Sequence, residues 1–214
     1  MKNFSTQEEK WGGKFGNEYV KRNPPTGAEM NKLYKNIFGV TRTSLNKEFL
    51  DKLDRSTRIL EVGANVGSQL NLLQKMGFTD LYGIDINRSA LEQAKSTTKG
   101  ISLMYASAFD IPFKDGFFDL VFTSGVLIHI SPKDIKKIIS EIYRVSNKYI
   151  WGFEYYAPKY TEVNYRGNDD MLWKTDFAKL YMDEFPLKLI EEKKVKYRAN
   201  ENADQMFLLQ KKKK

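Results

Sequence analysis

The chain has 214 residues, of which 41% are hydrophobic and 29% charged, a balance typical of a globular protein. It contains no cysteine and one histidine, which excludes disulfides, thiolate catalysis and a histidine-based metal cluster. Oxygen ligands could still hold a metal, but no metal site is predicted. No apolar run approaches the roughly 20 residues that span a bilayer, and the N-terminus lacks the apolar core of a secretory signal. We therefore expect a cytoplasmic protein with no membrane partner, whose net charge of +8 serves mainly solubility.

The first 54 residues predict a helical cap that belongs to the same domain as a core over residues 55–214. Trp11, Phe15 and Tyr19 recur every four residues and therefore share one helical face. That face either packs into the core or covers a ligand, and nearby glycines weaken the helix. Two further helices are predicted over residues 28–38 and 44–53, after a break at Pro24 and Pro25.

The core begins with a glycine-rich stretch at residues 58–67. An apolar strand ends in Glu61, Gly63 and Gly67 follow, and a helical pattern runs from Ser68 to Met76. In such a strand, turn and helix the backbone can come close to a bound ligand, because glycine has no side chain. The unit is shared by dinucleotide-binding proteins and by proteins that bind S-adenosyl-L-methionine (SAM), and an ordinary turn without a ligand remains possible.

Strands and helices then alternate, which predicts an α/β fold with a mostly parallel sheet. Ser89 and Ser131 are predicted to cap helices. Residues 157–174 show no periodicity, and a segment of that length is usually a functional or disordered loop. The predicted strands are residues 81–86, 102–107, 117–124 and 149–155. The predicted helices are residues 89–95, 131–145 and 175–185. A terminal hairpin is predicted to join residues 187–198 to residues 205–210. This hairpin makes the last strand antiparallel to its neighbour.

Asp85 ends the second predicted strand, eighteen residues after Gly67. Ligands bind at the carboxyl ends of the strands in open parallel sheets, so Glu61 and Asp85 are expected to share that edge. An acid about 20 residues after the glycine turn accepts hydrogen bonds from ribose hydroxyls in nucleotide-binding folds. A polar strand end without a ligand is the alternative.

These residues resemble the class I SAM-dependent methyltransferases. Glu61, Gly63 and Gly67 match the family's first motif, with Asn65 at its middle glycine, and Asp85 matches the acid that binds the ribose. The resemblance implies SAM as the cofactor and a Rossmann-like, seven-stranded, mostly parallel sheet with an antiparallel last strand, plus the helical cap. At the third motif Ser107 occupies the position of an aspartate that contacts adenine. The other residues assigned to the cofactor are Trp11, Tyr19, Ala64, Ile86, Ala108, Phe109 and Ser124.

The two ends of the chain resemble a narrower group, the methyltransferases associated with pseudaminic acid biosynthesis. The similar segments are 7–23, 153–156, 165–167 and 173–177. This resemblance implies O-methylation of an acidic nonulosonate sugar or of its nucleotide-activated form. The expected partner is therefore a small anionic molecule rather than a nucleic acid.

Methyl transfer requires the protein to align donor and acceptor and to remove a proton. His129 is the predicted base, because the unperturbed pKa of histidine is near 6.5, although its ring could instead pack or cap a helix. Glu154 is the alternative base. The residues predicted to bind the acceptor are Arg166 and Lys174, which would hold its carboxylate, and Tyr155, Tyr156 and Trp173, which would stack on it.

Other functions also fit parts of the sequence. A nicotinamide-dependent dehydrogenase would share the glycine turn, and Tyr155 and Lys159 have the spacing of a short-chain dehydrogenase, but Pro158 disfavours the helix they would need. Methyltransferases that act on the amines of nucleic-acid bases often carry an acid or asparagine, two prolines and an aromatic residue after the fourth strand. Residues 123–126 lack that pattern, and the nearest match is at residues 23–26. A methyltransferase that acts on protein and a non-catalytic SAM-binding protein are further alternatives.

Overall fold

The computed structural model describes residues 6–212. The first five residues of the predicted cap and the last two of the four terminal lysines lie outside it. The helices are α1 (Thr6–Gly12), α2 (Lys14–Val20), α3 (Gly27–Phe38), α4 (Arg42–Leu50), α5 (Ser68–Lys75), α6 (Arg88–Thr97), α7 (Ile135–Val145) and α8 (Phe177–Glu184). The strands are β1 (Ile59–Val62), β2 (Leu81–Asp85), β3 (Ser102–Tyr105), β4 (Phe118–Ser124), β5 (Ser146–Tyr155), β6 (Thr161–Glu162), β7 (Trp173–Lys174), β8 (Leu187–Lys196) and β9 (Ala203–Lys211). No helix within the described range is long and apolar enough to cross a membrane.

Seven of the strands form one sheet in the order β3-β2-β1-β4-β5-β9-β8. β2 is parallel to β1 and β3, and β5 is parallel to β4, whereas β9 is antiparallel to both β5 and β8. The prediction of a Rossmann-like, mostly parallel sheet with an antiparallel last strand is therefore confirmed. The chain divides between Pro112 and Phe113 into two compact units. The predicted boundary near residue 54 stays a prediction.

The predicted aromatic helix at the N-terminus is two short helices, α1 and α2, in the first unit. Gly13 separates them in an extended conformation, since glycine holds a helix only weakly. Trp11, Phe15 and Tyr19 nevertheless lie together, as the predicted aromatic face requires. The Trp11 ring packs edge-on against Phe15 at 5.2 Å and against Tyr19 at 5.1 Å.

Two predicted helix N-caps are wrong. α6 is capped by the Asn87 side chain, which accepts a hydrogen bond from the Ala90 N–H, and not by Ser89. α7 begins at Ile135 and not at Ser131, because residues 131–134 form a turn that precedes the helix. The boundaries of α3 follow the prediction closely, since Gly39 ends that helix with a left-handed φ of 79°.

The second unit contains β4 to β9 and the terminal hairpin that the sequence predicts. The aperiodic segment at residues 157–174 is not irregular throughout. It contains the small hairpin β6–β7, in which Thr161 pairs with Lys174 and Glu162 with Trp173. Strands of two residues are too short to produce an alternating pattern, so sequence periodicity could not reveal them.

Candidate active site

The glycine-rich turn follows β1 in the first unit. Gly63, Asn65 and Gly67 have left-handed φ values of 77°, 48° and 74°. Asparagine is one of the few residues other than glycine that tolerate this region. The Asn65 Oδ1 also accepts the Val66 N–H at 2.8 Å, which stabilises the turn. Asn65 can therefore occupy the middle position of the glycine motif without changing the course of the backbone.

The amide groups of this turn are directed at the tip of β2. The N–H groups of Gly63 and Ala64 donate to the Ile84 carbonyl at 2.8 and 2.9 Å. The Asn65 N–H donates to the Asp85 Oδ2 at 2.7 Å. A dinucleotide would require such backbone donors for its pyrophosphate, and here they are engaged within the protein. This arrangement disfavours the dehydrogenase alternative.

Asp85 is half-buried and accepts hydrogen bonds on both carboxylate oxygens. Its Oδ2 accepts the Asn65 N–H, and its Oδ1 accepts the Asn87 N–H at 2.7 Å. Burial raises the pKa of this carboxyl, and the backbone hydrogen bonds oppose the rise. Each oxygen has a second lone pair, so Asp85 can hold the turn and still accept hydroxyl groups from a ligand.

Glu61 is buried at the same edge, with 3% of its surface exposed. Its Oε2 has no hydrogen-bond partner within residues 6–212. Burial raises the pKa of Glu61 well above its usual value, Arg42 opposes the rise, and Asp85 adds to it. A buried carboxylate oxygen without a partner is costly, so its presence at a strand tip fits a ligand that supplies a donor or a positive charge.

The N-terminal helices sit on the loop that follows β2. The Asn87 side chain donates to the Trp11 carbonyl at 2.9 Å, while Val20 packs against Val66 in the glycine turn. Trp11 and Tyr19 were predicted to contact the cofactor, and their rings pack against each other beside this loop. Whether they also touch a ligand stays a prediction.

A cleft of about 260 Å³ opens between α1 and the tips of β2 and β3. It is lined by Glu8, Glu9, Gly12, Gly13, Ile86 and Tyr105. Ser107 lies beside it, donates to the Glu8 Oε1 at 2.5 Å and accepts the Phe109 N–H at 3.1 Å. Of these residues, the sequence singled out Ile86, Ser107 and Phe109, together with the half-buried Ala108. It gave no signal for Glu8 or Tyr105, because their place depends on how α1 and β3 pack.

In the second unit, β4 ends at the half-buried Ser124, and a 3₁₀ turn at Leu127–His129 follows it. His129 is buried, its Nδ1 lies 2.8 Å from the Met171 carbonyl, and its ring lies 5.2 Å from that of Tyr165. A carbonyl only accepts hydrogen bonds, so Nδ1 carries the proton and Nε2 the lone pair. Burial lowers the pKa of His129 to about 4, although the bond to Met171 opposes the shift. His129 is therefore neutral at physiological pH.

Glu154 is completely buried near the end of β5. It accepts the N–H groups of Val126 and Ile128 at 3.3 and 3.4 Å and therefore holds the turn that carries His129. Burial raises the pKa of Glu154 to about 7, and a hydrogen bond with the Thr123 side chain, together with those from the turn, opposes the rise. The geometry favours a structural role for Glu154 over direct contact with an acceptor.

The raised pKa of Glu154 predicts a specific dependence of stability on pH. The folded state binds the Glu154 proton more tightly than the unfolded state does. The resulting contribution to the unfolding free energy is complete below pH 4.5 and is lost as the pH rises through about 7. Between pH 5.5 and 7.5, wild type should therefore lose about 2 kcal/mol of unfolding free energy relative to Glu154→Gln. Urea unfolding at a series of pH values measures this difference, with the exposed Glu201→Gln as control. A constant difference between wild type and Glu154→Gln would contradict the assignment.

The residues predicted to bind the acceptor differ in their surroundings in the second unit. Arg166 is exposed in a tight turn and lies over the Tyr165 ring at 5.9 Å. Lys174 donates to the Asn202 Oδ1 at 3.1 Å and lies 5.8 Å from the Tyr155 ring. Trp173 is 95% buried, so stacking on a sugar is disfavoured for its ring. The Tyr156 ring is covered by the Lys194 ammonium at 3.7 Å.

The chain is similar to known methyltransferases. Residues 60–148 match a family model described as a methyltransferase domain. An uncharacterised methyltransferase of Synechocystis sp. is 33% identical over 88 residues, which make up 41% of each chain. An O-methyltransferase of Aspergillus nomiae is 28% identical over 114 residues, which make up half of each chain. The structure of the magnesium protoporphyrin IX methyltransferase of Synechocystis PCC 6803, solved with bound SAM, superposes with a TM-score of 0.70 at 14% identity, covering 99% of this chain and all of that one.

The methyltransferase model covers the glycine turn, Asp85 and His129, and the solved structure shows the same fold. Together these matches show that residues 60–148 are similar to a methyltransferase domain and that the chain has the fold of a SAM-binding methyltransferase. The chain spans half or less of the length of these two curated relatives, so their substrates do not identify its own.

Proposed function

We propose that the protein transfers the methyl group of SAM to a hydroxyl oxygen of a small acidic sugar of the nonulosonate type, free or nucleotide-activated. The proposal of SAM as the cofactor rests on the strand edge formed by the buried Glu61 and the half-buried Asp85, in a chain whose net charge is +8. When bound, SAM supplies an activated methyl group on a positively charged sulfur. Carboxylates on this edge suit that cation, and the engaged amides of the turn do not suit a pyrophosphate.

His129 is the proposed base. Its Nδ1 donates a hydrogen bond to the Met171 carbonyl, so Nε2 carries the lone pair. Nε2 is therefore the atom that can take a proton from the hydroxyl group of the substrate. Because the pKa is about 4, the ring is ready to accept a proton throughout the neutral range. The low pKa also makes it a weak base, so alignment of the reactants must supply much of the rate enhancement.

The proposal of an acidic sugar as the acceptor is based on positively charged side chains in the second unit. It is also based on the resemblance of the two chain ends to the methyltransferases associated with pseudaminic acid biosynthesis. Arg166 presents a guanidinium fork that suits a carboxylate, and Lys174 supplies a point charge on the hairpin β6–β7. The O-methyltransferase of Aspergillus nomiae is consistent with an oxygen acceptor. A carboxylated sugar combines the hydroxyl and the negative charge that these features require.

Two alternative functions predict different results in an assay of methyl transfer. A methyltransferase that acts on nucleic acid or protein would share the cofactor site, and so would a non-catalytic SAM-binding protein. The dehydrogenase alternative loses its remaining support, because Tyr155 is the last residue of β5 and Lys159 lies beyond it, outside any helix. The cytoplasmic location expected from the sequence stays a prediction.

The deciding experiment is a screen with SAM labelled on its methyl group. Candidate acceptors are nonulosonate sugars, their nucleotide-activated forms, neutral sugars, RNA and a protein extract. Transfer to the acidic sugars, and weaker transfer in an Arg166→Met variant, is the expected result. Transfer to RNA or protein alone would refute the acceptor, and tight SAM binding without transfer to any class would favour a non-catalytic protein.

A further inference from the structure

The cleft of the first unit lies on one side of Asp85. The strand order β3-β2-β1 places Glu61, on β1, and Tyr105, on β3, on opposite sides of Asp85. Ile86 and Tyr105 line the cleft, so it lies toward β3. A nucleoside that places its ribose at Asp85 and its charged end at Glu61 therefore directs its base into this cleft.

The walls of the cleft suit a flat heteroaromatic ring. Ile86 contributes an apolar surface and Tyr105 an aromatic one, and the Arg88 guanidinium lies over the Tyr105 ring at 4.0 Å. Gly12 and Gly13 line the cleft without side chains. A purine can enter such a space, since most of its surface is apolar and its polar groups lie on its edge.

The polar part of the cleft is built around Glu8. The Ser107 hydroxyl donates its only proton to the Glu8 Oε1 at 2.5 Å and accepts the Phe109 N–H at 3.1 Å. Ser107 therefore orients the Glu8 carboxylate at the tip of β3. A carboxylate has about four lone-pair positions, so Glu8 can accept hydrogen bonds from several donors at once, Ser107 among them.

We propose that Glu8 recognises the exocyclic amine of the adenine in SAM, and that Ser107 is the residue that positions it. The inference rests on the proposed cofactor and adds a residue of α1 to its site. An amine at carbon 6 of the purine presents a donor to the carboxylate. A carbonyl at the same carbon presents an acceptor, so the two oxygens would repel each other and the base would be rejected.

The test measures binding of S-adenosylhomocysteine and of its 6-keto analogue, S-inosylhomocysteine, by calorimetry. We expect wild type to prefer the adenine compound by roughly tenfold or more, which is the range for a hydrogen bond to a charged group. Glu8→Gln should lose most of this preference, because its amide can donate to the keto group. Adding Ser107→Asp to that variant should restore the preference by returning a carboxylate to the cleft.

Glu9→Gln and Glu18→Gln are the matched controls, the first inside the same cleft and the second on the exposed face of α2. Thermal unfolding of each variant verifies that it is folded. An unchanged preference in Glu8→Gln, or a preference lost in Glu9→Gln instead, would overturn the inference. If wild type bound neither compound, the proposed cofactor would fail as well, and that outcome is distinct from equal binding of both.

Discussion

The Asp85→Asn variant is expected to bind S-adenosylhomocysteine about a hundredfold more weakly than wild type, a loss of about 3 kcal/mol. Both carboxylate oxygens accept backbone N–H groups, from Asn65 and from Asn87. An asparagine must therefore turn its own NH₂ group toward one of these donors. The substitution would disturb the glycine turn and also weaken the acceptor for the ribose, although it changes the side chain by one atom.

Asp80→Asn is the matched control for this variant. Asp80 directly precedes β2, at the opposite end from Asp85, and forms a half-exposed ion pair with Arg58 at 2.8 Å. Exposed pairs contribute little, so this change should leave ligand affinity within about twofold of wild type. Calorimetry on both variants measures the difference. Equal affinities for wild type and Asp85→Asn would remove Asp85 from the cofactor site.

The second large effect is expected at His129, where two substitutions separate two roles. The amide nitrogen of an asparagine lies near the position of Nδ1, so His129→Asn can keep the bond to the Met171 carbonyl while losing Nε2. The amide of a glutamine lies near the position of Nε2, so His129→Gln loses the bond to Met171. If His129 is the base, both variants should lower the turnover number about a hundredfold or more.

A purely structural role predicts a different result. His129→Asn would then retain most of its turnover, and only His129→Gln would lose activity and unfolding free energy. The measurement is transfer of labelled methyl to the acceptor that the screen identifies, with ligand affinity measured in parallel. A basic role also predicts that turnover falls in acid with a midpoint of about 4, since the ring must be neutral to accept a proton.

Much of the proposed cofactor site is predictable because its residues follow one another closely in the chain. The left-handed turn at Gly63 and Gly67 and the carboxylate of Asp85 are local features of a strand, a turn and a helix. Residue identity alone indicates such geometry, since few residues other than glycine adopt a positive φ. The same holds for the terminal hairpin, whose polar turn requires β9 to run antiparallel to β8.

Other features could not be predicted from local patterns. The N-cap of α6 is Asn87 rather than Ser89, because Asn87 is also held by the Trp11 carbonyl, 76 residues earlier in the chain. The environment of His129 depends on Met171, 42 residues later. Periodicity reports the neighbours of a residue along one element, so it carries no information on contacts of this length.

The order of residues along the chain thus specified the strand tips, the glycine turn and the antiparallel final strand, because each arises from short-range steric and hydrogen-bonding preferences. The tertiary structure alone decided that Glu8 meets Ser107 across 99 residues and that Glu154 is buried against the turn before α7. These contacts depend on how whole elements pack, and burial, which sets the pKa of both His129 and Glu154, exists only after that packing is complete.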